Sequence, residues 1–144
     1  MVIGMIYLIK KMKMIDAEIK YNIKETRNLN ECMEWVKGYM SSGPDGEDYF
    51  VKWMRYDETT ALVSCHHGFG TFIRNTFELW SKGPAVKWFN DRGIYHADDM
   101  SAIIFTSLHR RENKKYTMVD KQIKHYRAHW EEYDPKVNKG EYGT

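Results

Sequence analysis

The 144-residue chain is poor in cysteine and proline, with two and three, and its charge leans to neither sign: 22 Lys and Arg against 20 Asp and Glu leave a formal +2. Each scarcity excludes something. Cys32 and Cys65 lie far apart in sequence and form no CxxC pair, so neither a zinc knuckle nor a disulfide framework is indicated, and free thiols point to the cytoplasm. A charge so close to balance supplies no field to hold a phosphate backbone, which leaves nucleic acid unsupported as a partner. No apolar run approaches the roughly 20 residues of a membrane-crossing helix. The apolar stretch 2–9 stands before Lys10, Lys11 and Lys13 rather than after them, and no small-residue cleavage site follows, so it is not read as a secretory signal and no membrane role is expected. Residues 1–13 are instead read as an accessory strand or as a leader ahead of Met14. GxxxxGK[ST], GxGxxG and HExxH motifs are missing, as are internal repeats and low-complexity tracts.

What the chain does have is rings. Phe, Trp and Tyr make up 15% of it, with five Trp and ten Tyr. Tyr and Trp combine apolar area with a polar tip, so they either fill a core or leave a face that stacks on a ligand or partner. The hydrophobic spacing predicts a mostly α fold, a compact bundle of about five to seven short helices in a single domain, with a small N-terminal β element at 2–9 and 18–24, the second of which suits a helix equally well. From a cap at Asn28 or Asn30, Leu29, Met33, Val36 and Met40 form a stripe that Ser41-Ser42-Gly43-Pro44 breaks. A second helical stretch covers 47–56, and Asp57 or Thr59 opens a third through Ala61, Leu62 and Cys65. Gly68 and Gly70 read as a bend, after which Phe72, Ile73, Phe77 and Trp80 continue a helix as far as Gly83-Pro84. Pro84 stands at the first position of a short helix with Gly93 as its stop. His96 or Asp98 caps the clearest amphipathic segment, whose stripe is Met100, Ile103, Ile104 and Leu108. Asp120 caps the last helix, carrying Ile123, Tyr126, Trp130 and Tyr133, and Pro135 ends it before a charged tail, 135–144, expected to fray.

Polar residues with chemical reach concentrate between His66 and Arg111. There the positions His67, Gly70, Arg74-Asn75, Phe77, Leu79-Trp80, Phe89-Asn90, Gly93-Ile94, His96 and Asp98-Asp99-Met100-Ser101 follow one another. In that pattern the chain resembles an uncharacterised family of bacterial and phage domains over about residues 65–130, with Ala97 standing where proline would be expected. The resemblance implies a small helical fold and no activity. It also implies a bacterial or phage source, and hence a host cytoplasm for a phage gene.

The candidate binding residues are His67, Arg74, Asn75, Trp80, Trp88, His96, Asp98, Asp99, His109 and Arg110. Catalytic residues, metal ligands and cofactors are not assigned. Asp98 is expected to cap the helix behind it, and Asp99 to sit where the positive end of the helix dipole favours an anion. Arg74 lies among Phe72, Ile73, Phe77 and Trp80, so its guanidinium needs a partner: Asp98 or Asp99 within the molecule, or a phosphate or carboxylate from outside. Three functions compete. The leading one is a non-enzymatic domain that binds a protein through aromatic rings, in one form a phage-encoded inhibitor of a host or defence protein. The next is a small-nucleotide module in which Trp80 or Trp88 stacks a base and Arg74 or Arg110 holds phosphate. The last is a metal-dependent phosphoester hydrolase built on the histidines with Asp98 and Asp99.

Overall fold

The computed structural model describes residues 26–41 and 49–141. Among them are seven α-helices, a closing 3-10 turn and no strand. The strands expected at 2–9 and 18–24 and the breaking residues 42–44 lie outside the described residues. The helices are α1 Leu29–Ser41, α2 Tyr49–Met54, α3 Glu58–His66, α4 Gly68–Thr76, α5 Val86–Asn90, α6 Ala97–Glu112 and α7 Val119–Tyr133, and the 3-10 turn is Val137–Lys139.

Local chemistry accounts for most of these starts. Asn28 caps α1 by accepting from the Glu31 N–H at 2.9 Å, while the Glu31 carboxylate reaches back to the Arg27 N–H at 3.3 Å. Asp57 caps α3 by accepting from the Thr60 N–H at 2.8 Å. At α7 the expected cap, Asp120, falls inside the helix. The cap position belongs to Met118, held left-handed at φ 54° with no side-chain cap bond.

The fold is organised around α6. Its expected stripe is buried to the last atom, with Met100, Ile103, Ile104 and Leu108 all at 0% exposure. Phe105, Thr106, Ser107 and His109, on its other sides, are buried as well, because α1, α3, α4 and α7 all pack against it. An enclosed helix, rather than a one-faced one, is the result.

Much of the aromatic surplus goes inward. Trp35 and Tyr39 of α1 stack at 5.4 Å and meet Phe72 of α4, Trp35 meets Phe77 edge-on at 5.2 Å, and Phe69 bridges Tyr39 to Phe105 of α6. Trp53 of α2 lies against Phe105 and His109 and donates its indole N–H to the Ala61 carbonyl at 3.0 Å. Ring pairs of this kind hold helices in fixed register at roughly 0.5–1.5 kcal/mol beyond their buried area.

Two expected boundaries are corrected. The bend between α3 and α4 falls at His67, and Gly70 lies inside α4, where its missing side chain lets the helix approach the Cys65 carbonyl. α4 also stops at Thr76 instead of reaching Gly83. Glu78, at φ 52°, turns the chain so that its N–H bonds the Asn75 carbonyl at 3.2 Å and the Leu79 N–H bonds the Arg74 carbonyl at 2.9 Å. Lys114 ends α6 in the same way at φ 59°, and Gly93, at φ 82°, ends α5 as its sequence position suggests. Pro84 precedes α5, whose cap is Ala85. Because a side chain in left-handed conformation is strained and glycine is not, Glu78→Gly and Lys114→Gly are each expected to stabilise the protein by about 0.5–1 kcal/mol. Urea unfolding reads this as a higher midpoint at unchanged slope.

Beyond Pro135, where a frayed tail is expected, the chain folds back as far as the described residues run. Val137 is 2% exposed, and the Asn138 amide donates to the Arg127 carbonyl at 2.8 Å.

Candidate functional site

The ten candidate residues distribute over the two ends of α6, about 20 Å apart by helical rise, and over the surface beside it. At its N-terminus His96, not Asp98, is the cap: its Nδ1 accepts from the Asp98 N–H at 3.1 Å. Asp98 is thereby freed to face α4, where the Arg74 Nε lies 3.3 Å from its carboxylate. Arg74 is 7% exposed and spends its remaining donors internally, on Ser101 Oγ at 3.0 Å, the His66 carbonyl at 2.9 Å and Thr71 Oγ1 at 3.2 Å. The internal pairing is therefore the one observed. Asp99 points the opposite way, toward α7, and accepts from the Trp130 indole N–H at 2.6 Å.

Around this end the rings form a connected row. Trp80 meets His96 edge-on at 5.3 Å, His96 stacks on Trp130 at 5.2 Å with planes 16° apart, and Trp130 contacts His129, which contacts Tyr133 at 4.7 Å. Trp80 is 50% and Tyr133 69% exposed, so the row surfaces at both ends.

At the C-terminal end of α6, His109 is 4% exposed and its Nε2 lies 3.0 Å from the Tyr56 carbonyl. A carbonyl only accepts, so Nε2 carries the proton. Arg110 grips Glu58 with two parallel bonds of 2.5 and 3.0 Å and donates its third nitrogen to the Thr117 carbonyl at 2.9 Å. Gln122 of α7 donates its amide to the same carbonyl at 2.8 Å and to Ser107 Oγ at 3.1 Å. Its Oε1 is buried without a partner among the described residues, a situation that costs about 1–3 kcal/mol until something donates to it.

The other candidates stand apart. His67 is exposed at the α3–α4 hinge with its ring against His66, Asn75 is exposed on α4, and Trp88 is half-buried beneath the Arg92 guanidinium, 3.8 Å above its ring. Among the described residues no three His, Cys, Asp or Glu side chains come together as a metal ion requires. Burial pushes the thiols of Cys32 and Cys65 up to about 12 and about 11, which keeps both protonated. Sequence reasoning passed over Trp130, His129 and Tyr133 as binding residues and Gln122 altogether. Trp130 and Tyr133 were legible only as a helical stripe, and no local pattern joins them to His96, about 30 residues away.

Two carboxylates bend the acid stability in opposite directions. The hydrogen bonds from Arg110 hold Glu58 below the usual carboxylate range, so its contribution is present at neutral pH and lost as pH falls through that lowered value. Burial pushes Asp99 above 3.8, against the lowering effect of the Trp130 bond. The unfolded chain then loses that proton first as pH rises from 3.8, so stability falls up to the folded value and stays reduced above it. Glu58→Gln is expected to flatten the loss on acidification, and Asp99→Asn, which keeps an acceptor for Trp130, to steepen it. Tm measured from pH 3 to 7 checks both signs.

The family model for a domain of unknown function, DUF6794, matches residues 26–112, which run from the cap of α1 to the end of α6. No curated protein and no solved structure matches the chain.

Proposed function

The chain belongs to the DUF6794 family, whose description carries no activity, and from its own surface we propose that it is a non-enzymatic binding domain that engages a protein partner through the ring row Trp80, His96, Trp130, His129 and Tyr133. The observation that carries this reading is the continuity of that row, with half of Trp80 and two-thirds of Tyr133 left in water while most other large rings are packed inside. Trp and Tyr anchors of this kind dominate protein interfaces, because they bury large rigid areas at little entropic cost. Backing each ring with another fixes its orientation before contact. The neighbouring charges support binding rather than chemistry: Arg74 is engaged by Asp98, Ser101 and backbone, Asp99 is held by Trp130, and neither faces a reacting position. Such a domain acts by covering its partner's surface, as an inhibitor does.

The test is an affinity capture from host lysate with the wild type and with Trp80→Ala/Tyr133→Ala in parallel. A stoichiometric partner is expected with the wild type. Loss of an aromatic anchor costs about 2 kcal/mol, roughly 30-fold in Kd, so the double variant should release it. Equal recovery by both proteins, or no stoichiometric partner in any host, sinks the reading.

A further inference from the structure

At the opposite end of α6, the connection 115–118 and the first turns of α7 enclose with α3 a hollow of about 510 Å³, within the span of small-molecule sites. We infer that this hollow binds a small phosphorylated molecule bearing a flat ring, a mononucleotide in size and chemistry. The inference does not rest on the ring row described above.

Charge is the first argument. Among the described residues Glu58 is the single carboxylate lining the hollow, and Arg110 already holds both of its oxygens. Lys115 and Lys121 line the same space, both exposed, with no ion pair to any described residue, and His125 stands beside them. Two lysines on the lining of one hollow, beside a carboxylate that Arg110 already neutralises, favour an anionic ligand. The second argument is apolar. Tyr116 lies 90% exposed at the hollow, the half-buried Tyr126 and Leu62 also line it, and a ring so exposed offers its face to another ring. The third is a side held in place. Gln122 lines the hollow at 8% exposure, and its amide nitrogen is held by the Thr117 carbonyl and Ser107 Oγ, which fixes that side of the space. Finally, Met118 is held at φ 54°, ψ 42°, a conformation that a non-glycine side chain adopts under constraint and that keeps the connection bent around this space.

The experiment is an amide NMR titration of the full chain with 5′-AMP, GMP, CMP and UMP, with adenosine and inorganic phosphate as separate arms. At least one mononucleotide should shift the amides of Lys115, Lys121 and Gln122 saturably, at least about tenfold more tightly than either fragment. Lys115→Ala/Lys121→Ala, which alters exposed groups only, should weaken that nucleotide by about tenfold or more while leaving the unfolding midpoint in place. The inference is overturned if all four nucleotides leave these amides unmoved, if phosphate alone binds as tightly, or if the double variant binds as the wild type does.

Discussion

Gly70→Ala is expected to destabilise the protein by about 3 kcal/mol or more, enough to lower Tm by many degrees in a chain of this size. Helix propensity argues the other way, since alanine in place of a helical glycine is worth close to 1 kcal/mol of stabilisation. The contact reverses the sign. A Cβ on Gly70 would stand 2.2 Å from the Cys65 carbonyl oxygen and 3.0 Å from the Arg74 Nη1. The guanidinium end could shift, but the carbonyl is backbone at the end of α3 and cannot move without opening the α3–α4 hinge. Gly68 supplies the control. It lies in the first turn of the same helix, a Cβ there meets nothing within 4 Å, and Gly68→Ala should be neutral or mildly stabilising. Equal unfolding midpoints for the two variants would show that α4 does not pack on α3 as described.

Arg74→Ala is expected to cost about 3 kcal/mol, because it strips partners from buried acceptors rather than trimming a surface charge. The ion pair itself is the minor part. The Asp98 side chain is 42% exposed and can turn to water, so a double-mutant cycle between Arg74 and Asp98 should give a coupling below about 1 kcal/mol. Ser101 is 2% exposed and cannot, so its coupling with Arg74 should be the larger. Arg74→Lys should recover only part of the loss, since one ammonium cannot reach acceptors spread over α3, α4 and α6. If instead chemical denaturation finds Arg74→Ala as stable as the wild type, the guanidinium is not a structural tie, and its donors are available to a ligand.

How far the residues themselves announced this depends on range. The caps at Asn28 and Asp57, the buried stripe of α6 and the stop at Gly93 are all set within a few residues, and short-range chemistry suffices to find them. The end of α4 was not legible, because Glu78 occupies a backbone conformation that glycine ordinarily marks. The need for a partner at Arg74 could be argued from the apolar residues around it, whereas the choice of Ser101 and the His66 carbonyl depends on how α3, α4 and α6 meet. The candidate cluster divides in the fold, with Arg74, Trp80, His96, Asp98 and Asp99 at one end of α6 and His109 and Arg110 at the other. A sixteen-residue helix carries His96 to one end and His109 to the other, so residues that look like neighbours on paper serve two separate surfaces. In return, α7 brings Trp130 and Gln122 to those surfaces from a part of the chain beyond the span that the family model covers.

The burial of both thiols has a practical corollary. Alkylating reagents attack the thiolate, and Cys32 at 0% and Cys65 at 3% exposure present neither the anion nor a path to it while the helices are closed. Their labelling rate therefore counts openings of the bundle, with Cys32 reporting on α1 and Cys65 on α3. The molecule carries two native clocks, one on each of two helices that pack against the central one.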